Sequence, residues 1–585
     1  MKKMLTIVLT AAVLLSLAAC GGTDKTPLDQ AALQPVDEAA AAEIRNALSL
    51  LVDRNYVVER IAQSGQEPAV SFVPSGMTDA DGSQFYKNTS YYDASAEAYG
   101  DNFAQAIQTL RKYYAYDENT GKFLNFPAIT YLYNNSDSHK AVGEYLQNVF
   151  AGVGIQLNLE NQEWNTFLNT RKQGQYTLAR NGWVADYNDP ICFLDMWTSV
   201  SGNNDIQYGK GNHSQAAIYD LDLTGYGMDV KVENGTWAQT YDVLIGIIKT
   251  TADPDIRYRL MHLAEDMLME TGCILPLYYY TDLYMLHSSV EGFYANPLGY
   301  KYFHTTTVNG SGAEISVCLA SEPDSIDPAL NSTVDGATLI SHLFAGLAKW
   351  SRDENGQLAL AADCAKALPE GVTNADGTVT YTYTLQDNAK WSDGKPVTAG
   401  DFVYAWNRAA SDEMGAGHGY LFEVIRGYGT GKLAAEALDD RTLQVTLNNP
   451  IGYWNELLAL PAYFPVRQDV VETGEGWATD PATYISNGAY KMTGWEHNSV
   501  ITMVKNENYH DAQSVSMEKI RFYLSDDANN MLSNFKNGTW LVIEHVPTNE
   551  IAALKQQYPS QLVIAPPIGT YYLCGNINAD LTPNT

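Results

Sequence analysis

Apolar side chains change their spacing twice between residues 128 and 160, from alternation to helical spacing and back. "AITYLY" starts the stretch as a short β-like run, and "IQLNLE" ends it with Ile155, Leu157 and Leu159 at alternate positions. Between them, "HKAVGEYLQNVFAGVG" carries apolar residues at helical spacing, namely Val142, Tyr145, Leu146, Val149 and Phe150. Strand, helix and strand within about 30 residues predict a βαβ unit in an open, mainly parallel sheet.

The same periodicities predict further elements later in the chain. Residues 255–272 have the pattern of a helix, and the apolar run "CILPLYYY" follows it. Thr398 and Asp401 have the spacing of a capping box that opens another helix. A strand is predicted shortly before that box, where alternate positions carry Val379, Tyr381, Tyr383 and Leu385.

The stretch "ARNGWVADYNDP", residues 179–190, places a cation, an indole ring and an anion close together. Because the helical segment "WNTFLNTRKQG" precedes it, we expect Arg180, Trp183 and Asp186 at a strand end. In open α/β sheets, ligands bind in the crevice outside the strand ends. Each residue alone also has a structural interpretation: a turn for Asp186, the core for Trp183 and a solvated charge for Arg180.

Length, composition and charge narrow the class of protein. A chain of 585 residues predicts two to four structural units with ample buried area. Its 39 Tyr and 11 Trp residues suit the lining of pockets, although the same rings also fill cores. The formal net charge of −32, with no run of Lys or Arg, disfavours nucleic acid and anionic lipid headgroups as partners.

The first 20 residues have the pattern of an export signal. Lys2 and Lys3 precede an apolar run from Met4 to Leu17, which is shorter than the roughly 20 residues of a membrane span. "LAAC" at its end resembles the bacterial lipobox. That resemblance implies lipidation of Cys20 and a tether on the outer face of the cytoplasmic membrane. Residues 21–40 are small, polar and acidic, and we expect a linker there.

The remaining cysteines and the motif search give little support for enzyme chemistry. Five cysteines are scattered without a C-x-x-C pair, which predicts buried free thiols and no zinc site: Cys192, Cys273, Cys318, Cys364 and Cys574. Neither G-x-S-x-G nor H-E-x-x-H occurs, and no metal or cofactor is predicted. An exported hydrolase that uses unpatterned carboxylates, such as Asp186 and Asp189, remains an alternative, as does a purely structural lipoprotein.

Two stretches resemble a known family. "YTYTLQDNAKWSDGKPVTAGDFVYAWNR" (381–408), together with "SNGAY" (486–490), resembles the signature of the extracytoplasmic peptide-binding proteins of ABC importers, solute-binding protein family 5. "NQEWNTFLNTRKQGQYTLARNGWVADYNDP" (161–190) is similar to the oligopeptide-binding branch. The resemblance implies an α/β, periplasmic-binding-protein-like fold (class II, cluster C) with two lobes, a hinge and an extra subdomain.

The order of the two resembling halves is reversed relative to the family. Residues 24–308 resemble the family's C-terminal half, and residues 313–585 resemble its N-terminal half. The chain is therefore identified as circularly permuted, with the family's own termini joined through Asn309–Gly312, which has the composition of a flexible connector. A fusion of two incomplete tandem paralogues is the alternative.

The resemblance implies a division of the chain into three parts that enclose a ligand by hinge closure. The peptide-binding lobe would comprise 41–275 with 570–585. The second lobe would comprise 276–358 with 485–569, and 359–484 would be its inserted subdomain. Residues 210–237 look like an additional insertion without an assigned role.

The resemblance also assigns charged residues to the two ends of a peptide. Asp186 would supply the fixed anion for the α-ammonium group. Arg180, Arg171 and His139 match positions near the ligand's carboxyl end, where guanidinium groups bind carboxylate bidentately and His139 adds charge below its pKa.

Three further residues match family positions around the ligand. Trp164 and Trp183 would line pockets that accept varied side chains, and Glu322 would lie at the cleft edge. Some family members carry a lysine in the helix after "ALSLLVDR", but "NYVVERIAQSG" has only Arg60 there, which puts the preferred ligand length in doubt.

The function implied is that of a lipid-anchored, extracytoplasmic receptor of a bacterial cell membrane that delivers oligopeptides to the permease subunits of an ABC importer. We expect a monomer that binds no nucleic acid. The same scaffold also serves other solutes, so a binder of a nickel chelate, an opine or an oligosaccharide stays open.

Overall fold

The computed structural model describes residues 33–88, 90–353, 355–565 and 568–584. The predicted signal peptide and its lipidation residue, Cys20, lie outside the described residues. Three larger sheets organise the described part of the chain, and shorter hairpins and helices cover them.

The first sheet has six strands and contains the predicted βαβ unit. Ile129–Asn134 pairs in parallel with Leu157–Gln162, and the helix Asp137–Gly152 between them buries Val142, Leu146 and Phe150, so this prediction is confirmed. In spatial order the strands are Glu67–Pro68, Ile274–Tyr279, Gly569–Gly575, Leu178–Val184, Ile129–Asn134 and Leu157–Gln162.

The prediction of a mainly parallel sheet is wrong for this sheet, which is mixed. Gly569–Gly575 runs antiparallel to Leu178–Val184 on one side and to Ile274–Tyr279 on the other. All seven residues of this central strand are buried. The βαβ unit is local and shows in the spacing of apolar residues, whereas the pairing of the strand at 569–575 joins segments far apart in sequence.

The second sheet has seven strands drawn from both halves of the chain. Ile315–Ala320 lies inside it, parallel to both Lys519–Leu524 and Val542–Ile543. The chain passes from the first sheet to the second between Tyr279 and Asp282. In spatial order the strands are Tyr490–Glu496, Val500–Lys505, Lys519–Leu524, Ile315–Ala320, Val542–Ile543, Asp282–Leu286 and Leu562–Ala565.

A four-stranded antiparallel sheet lies within residues 359–484. Its second strand, Val379–Thr384, confirms the predicted alternation, because Val379 and Tyr383 are buried. In spatial order the strands are Val372–Thr373, Val379–Thr384, Thr442–Leu447 and Ala435–Asp439. The predicted capping box is also confirmed: the Asp401 carboxylate accepts the backbone N–H of Thr398 at 2.8 Å at the start of the helix Ala399–Ala409.

The remaining elements are helices and short hairpins. The predicted helices at 164–174 and 255–272 are confirmed as Trp164–Lys172 and Pro254–Glu270. The other α-helices are Glu38–Leu50, Arg54–Tyr56, Tyr99–Leu110, Gly211–Ala216, Trp237–Thr250, Val334–Leu343, Trp454–Leu457, Gln468–Val471, Ala528–Lys536 and Ile551–Gln557, with a π-helical turn at Val57–Ala62. The hairpins pair Tyr116–Asp117 with Lys122–Phe123, Leu221–Asp222 with Lys231–Val232, Val290–Glu291 with Thr307–Val308, Tyr294–Ala295 with Lys301–Tyr302, and Ala348–Arg352 with Leu358–Ala362.

The predicted flexible connector at Asn309–Gly312 is instead a tight turn, so that prediction is wrong. Val308 and Ser311 bridge across it. Asn309 and Gly310 have φ values of 50° and 75°, the left-handed pair that two-residue hairpin turns require. The composition that suggested flexibility reflects this backbone geometry.

The five cysteines within the described residues are free and buried, as predicted. Within those same residues, we find no helix long and apolar enough to cross a membrane.

Candidate functional site

A cleft of about 880 Å³ lies between the first and second sheets. Both sheets line it, and residues from 359–484 close one side. The lining includes Arg180, Trp183, Tyr278 and Tyr571 from the first sheet, Asp282, Leu319 and Glu544 from the second sheet and its edge, and His418 and Leu460 from residues 359–484. A cleft assembled from three parts of the chain suits a ligand that is enclosed rather than bound on a surface.

Arg180 forms the cationic end of the cleft. It lies in the strand Leu178–Val184, and its guanidinium carbon is 5.5 Å from the ring centroid of Tyr571 and 5.9 Å from that of Trp164. Its Nε has no hydrogen-bond partner among the described residues. Burial acts to lower the pKa of Arg180, but the phenols of Tyr280 and Tyr571 outweigh it and raise that pKa. A fixed cation with an unused Nε–H donor suits a carboxylate.

His139 lies beside Arg180 at the start of the helix Asp137–Gly152. Its Nδ1 is 3.0 Å from the hydroxyl oxygen of Tyr571. Burial, together with the charge of Arg180 and the neighbouring His545, holds the pKa of His139 well below its ordinary value. His139 therefore adds positive charge only at a lower pH than an ordinary histidine would.

Arg171 also lines the cleft, but it already has an anionic partner. Its Nε is 2.9 Å from Oδ2 of Asp205, and both side chains are buried. The Nη1 of Arg171 donates to the backbone oxygen of Arg180 at 3.4 Å. These contacts make Arg171 a support for the strand that carries Arg180.

The two predicted pocket tryptophans present half-buried rings to the cleft. Trp164 stacks on Phe167 with ring centroids 5.9 Å apart. Trp183 donates from its Nε1 to the backbone oxygen of Cys192 at 3.1 Å, which fixes the orientation of its ring. Large, fixed apolar faces can accept side chains of varied shape.

Asp186 forms the anionic end of the cleft, two residues beyond the strand that carries Arg180 and Trp183. Its backbone N–H donates to Sγ of Cys192 at 3.1 Å, and its Oδ2 is 3.3 Å from Nε2 of His418. The step from Arg180 to Asp186 spans at most about 20 Å of extended chain. Opposite charges therefore line one cleft.

His418 was not predicted as a site residue. Burial acts to lower its pKa, but the charge of Asp186 outweighs burial and raises it. "GAGHGYL", the local sequence of His418, carries no motif, and its place in the cleft depends on the packing of residues 359–484 against the strand end at Asp186.

Glu322 is the predicted site residue that the structure does not place among the residues lining the cleft. Its carboxylate accepts the backbone N–H of Asn498 at 2.8 Å and lies 2.6 Å from Nδ1 of His497. These contacts hold the turn between the strands Tyr490–Glu496 and Val500–Lys505. Within the described residues, no group of three or more His, Cys, Asp or Glu side chains has an arrangement that could hold a metal ion.

A comparison with protein families matches residues 25–205 and 359–584 to the model for bacterial extracellular solute-binding proteins, family 5. Among curated proteins, the chain is 33% identical over 298 residues to the oligopeptide-binding protein OppA of Bacillus subtilis, covering 47% of this chain and 53% of that protein. It is 33% identical over 267 residues to the dipeptide-binding protein DppE of the same organism, covering 44% of this chain and 47% of that protein. The chain thus spans about half the length of the curated relatives it matches.

Solved structures give matches of similar extent. Listeria monocytogenes OppA bound to peptide is 31% identical, with a TM-score of 0.36 over 40% of this chain and 46% of that one. The unliganded open form of the murein tripeptide-binding protein MppA is 29% identical, with a TM-score of 0.39 over 43% of this chain and 49% of that one.

Proposed function

Because the chain belongs to family 5 of the bacterial extracellular solute-binding proteins, we propose that its cleft captures short peptides. The observation that carries the proposal is the placement of Asp186 and Arg180 in one cleft, with the Nε of Arg180 left without a hydrogen-bond partner among the described residues. The names of two relatives, an oligopeptide-binding and a dipeptide-binding protein, support the same class of ligand.

Recognition would use the charges that all unmodified peptides share. Asp186 would accept the α-ammonium group, and Arg180 would donate to the terminal carboxylate. In a desolvated cleft, leaving one partner of such a pair unmet costs roughly 2 to 5 kcal/mol. Peptides with both termini free would therefore be selected, while Trp164 and Trp183 would accept varied side chains by contact area.

We also propose the cellular role that the sequence implies. The mature protein would be tethered through lipid on Cys20 to the outer face of the cytoplasmic membrane and would deliver peptides, as a monomer, to the permease of an ABC importer. Residues 41–275 with 570–585, 276–358 with 485–569, and 359–484 would form the peptide-binding lobe, the second lobe and its subdomain. Because the strand Ile274–Tyr279 completes the first sheet, the crossing between lobes fits better near residue 280 than at 275.

Circular permutation of the family order is part of the proposal. It is supported by the strand Gly569–Gly575, which comes late in the chain yet fills the centre of the first sheet. The two ends of the described chain also bond to residues that flank one hairpin, Tyr116–Asp117 with Lys122–Phe123: Gln34 donates its N–H to the backbone oxygen of Lys112 at 2.9 Å, and Asn584 donates its N–H to that of Asn125 at 2.8 Å. Neighbouring ends are what a cut within one surface loop would leave.

The function is tested by titrating the purified protein with trialanine in a calorimeter and by native mass spectrometry of any peptide it retains. We expect Asp186→Asn to weaken binding by roughly 2 to 5 kcal/mol, because it removes the anion that meets the ammonium group. Asp117→Asn, at an exposed turn, is the matched control. Unchanged affinity in Asp186→Asn would rule out Asp186 as the partner of the ammonium group. Failure of the wild-type protein to bind trialanine would favour a nickel chelate, opine or oligosaccharide as ligand, and cleavage of the peptide would favour a hydrolase.

A further inference from the structure

The anionic end of the cleft already contains a potential cation. Nε2 of His418 is 3.3 Å from Oδ2 of Asp186, and the side chains of the two residues are only 12% and 11% exposed, respectively. Both residues line the cleft. They come from different parts of the chain, because Asp186 follows the strand Leu178–Val184 and His418 immediately precedes the 3-10 helix Gly419–Val424.

The groups around this pair favour a protonated imidazole while the cleft is empty. Burial and the ammonium group of Lys172 act against the charge on His418, whereas Asp186 and a hydrogen bond with the backbone of Asn331 act for it. The result is a raised pKa for His418. The other neighbours are neutral rings and a thiol: Trp183 and Tyr420 beside the imidazole, and Tyr300 and Cys192 near the carboxylate.

A peptide ammonium group that binds Asp186 would have to share one carboxylate with this imidazolium. Two positive charges a few ångströms apart in a desolvated cleft repel each other strongly. Loss of the imidazole proton removes the repulsion and also exposes the Nε2 lone pair, which can accept a hydrogen bond. One N–H of the ammonium group can then point to Asp186 and another to His418.

We propose that His418 is the resident counter-ion of Asp186 and that an arriving peptide ammonium group displaces its proton into solvent. His418 thereby changes from a cation paired with the charge of Asp186 into an acceptor for the ligand, and it becomes part of the amino-terminal subsite. The inference rests on the proposed function, because it assigns the ammonium end of the peptide to Asp186.

The direction of the pH dependence follows from this exchange. His418 is protonated in the empty cleft below its raised pKa, and the bound ammonium group lowers that pKa. Between the two values, binding releases up to one proton, so affinity falls by up to about tenfold for each unit of decreasing pH. His545 and His139, the other cleft histidines, do not supply this effect near pH 6, because burial lowers the pKa of His545 to about 4 and that of His139 well below its ordinary value.

The experiment is calorimetric titration with trialanine near pH 6 in two buffers of different ionisation enthalpy, repeated at higher pH. We expect the wild-type protein to release a substantial fraction of one proton per peptide bound and to bind more weakly as pH falls. His418→Gln should release none and lose the pH dependence. His418→Arg, which keeps a permanent cation beside Asp186, should bind at least tenfold more weakly than His418→Gln at every pH. His213→Gln, which alters a histidine outside the cleft that contacts Glu38, is the matched control and should behave as wild type.

The outcomes separate this inference from the proposed function. If the wild-type protein binds trialanine without releasing a proton, the displacement is refuted while peptide binding stands. If His418→Arg binds trialanine as tightly as the wild-type protein does, the displacement is also refuted while peptide binding stands. If the wild-type protein binds no peptide at any pH, the proposed function itself fails. The number of protons that the wild-type protein releases per trialanine bound tests the displacement even if the His418 variants do not fold.

Discussion

Two arginines in the cleft differ in what their guanidinium groups meet. Arg171 lies against the carboxylate of Asp205, whereas Arg180 is surrounded by aromatic rings. A ligand carboxylate gains more at a cation that is not already neutralised by a neighbouring anion. Arg180 therefore should carry most of the recognition of the carboxyl end.

Replacing Arg180 by Gln should weaken binding of trialanine by roughly 2 to 5 kcal/mol, because the variant loses a charged partner in a desolvated cleft. Trialanine amide, which lacks the terminal carboxylate, should bind the wild-type protein weakly and lose little more in the variant. Calorimetric titration of both peptides measures the difference. Arg426→Gln, at an exposed ion pair with Asp376, is the control. Equal losses for the two peptides would indicate a structural role for Arg180 instead.

The sequence indicated which residues line the cleft at Arg180 and Asp186, but it did not indicate their tertiary partners or the pKa shifts of the histidines beside them. Arg180, Trp183 and Asp186 lie within one local stretch, so their joint spacing was visible together with the resemblance. His418 was missed because its relation to Asp186 arises only from tertiary packing. The lowered pKa of His139 was also not predictable, because it follows from burial beside Arg180.

At the scale of elements, the turn between the two resembling halves shows two different uses of glycine. Gly310 has a φ of +75° and open space where a Cβ atom would lie. At Gly312, a Cβ atom would lie 1.9 Å from the backbone oxygen of Ser516, and the backbone oxygen of Gly312 accepts the N–H of Glu518 at 2.6 Å. Gly310 is needed for its dihedral angle, and Gly312 is needed for close approach to a neighbouring segment.

Alanine at these two positions should therefore destabilise the protein unequally. Gly310→Ala should lower the free energy of unfolding by about 1 kcal/mol, the cost of a left-handed alanine. Gly312→Ala should cost more, because backbone atoms must move to relieve the overlap. Urea denaturation measures both, with Gly246→Ala on an exposed helical position as a control that should be neutral or stabilising. Equal, negligible effects at 310 and 312 would contradict the tight turn and support a flexible connector.

Elements with long, regular periodicity were the ones that sequence could predict. The βαβ unit and the helix Pro254–Glu270 each bury a face that recurs along the segment. The central strand Gly569–Gly575 is buried along its whole length, so alternation does not mark it, and its neighbours are distant in sequence. Mixed strand direction follows from such long-range pairing and has no local signature.

At the scale of the whole molecule, polar contacts join residues 359–484 to the part of the chain that carries Asp186. Lys249 is half-buried, with its Nζ 2.7 Å from the carboxylate of Glu423 and 3.3 Å from that of Asp195. The backbone N–H of Asn188 donates to Glu456 at 2.7 Å. Moving residues 359–484 away from this part of the chain would separate these partners, so their pairing stabilises the arrangement of the two parts.

The order of the segments can be changed without changing these contacts, if the chain is a permuted form of one fold. A protein that runs from 313 to 585 and continues directly into 24 to 308 should fold to the same structure and bind trialanine with similar affinity. The reason is that both ends of the described chain bond to residues that flank one hairpin, while the new ends would open an exposed two-residue turn. Thermal unfolding and calorimetric titration measure the outcome.

A second reordered chain with its ends placed inside the buried strand Gly569–Gly575 is the control, and it should not fold. Failure of the first reordered chain to fold would favour a fusion of two incomplete paralogues, because such a fusion need not contain one complete fold.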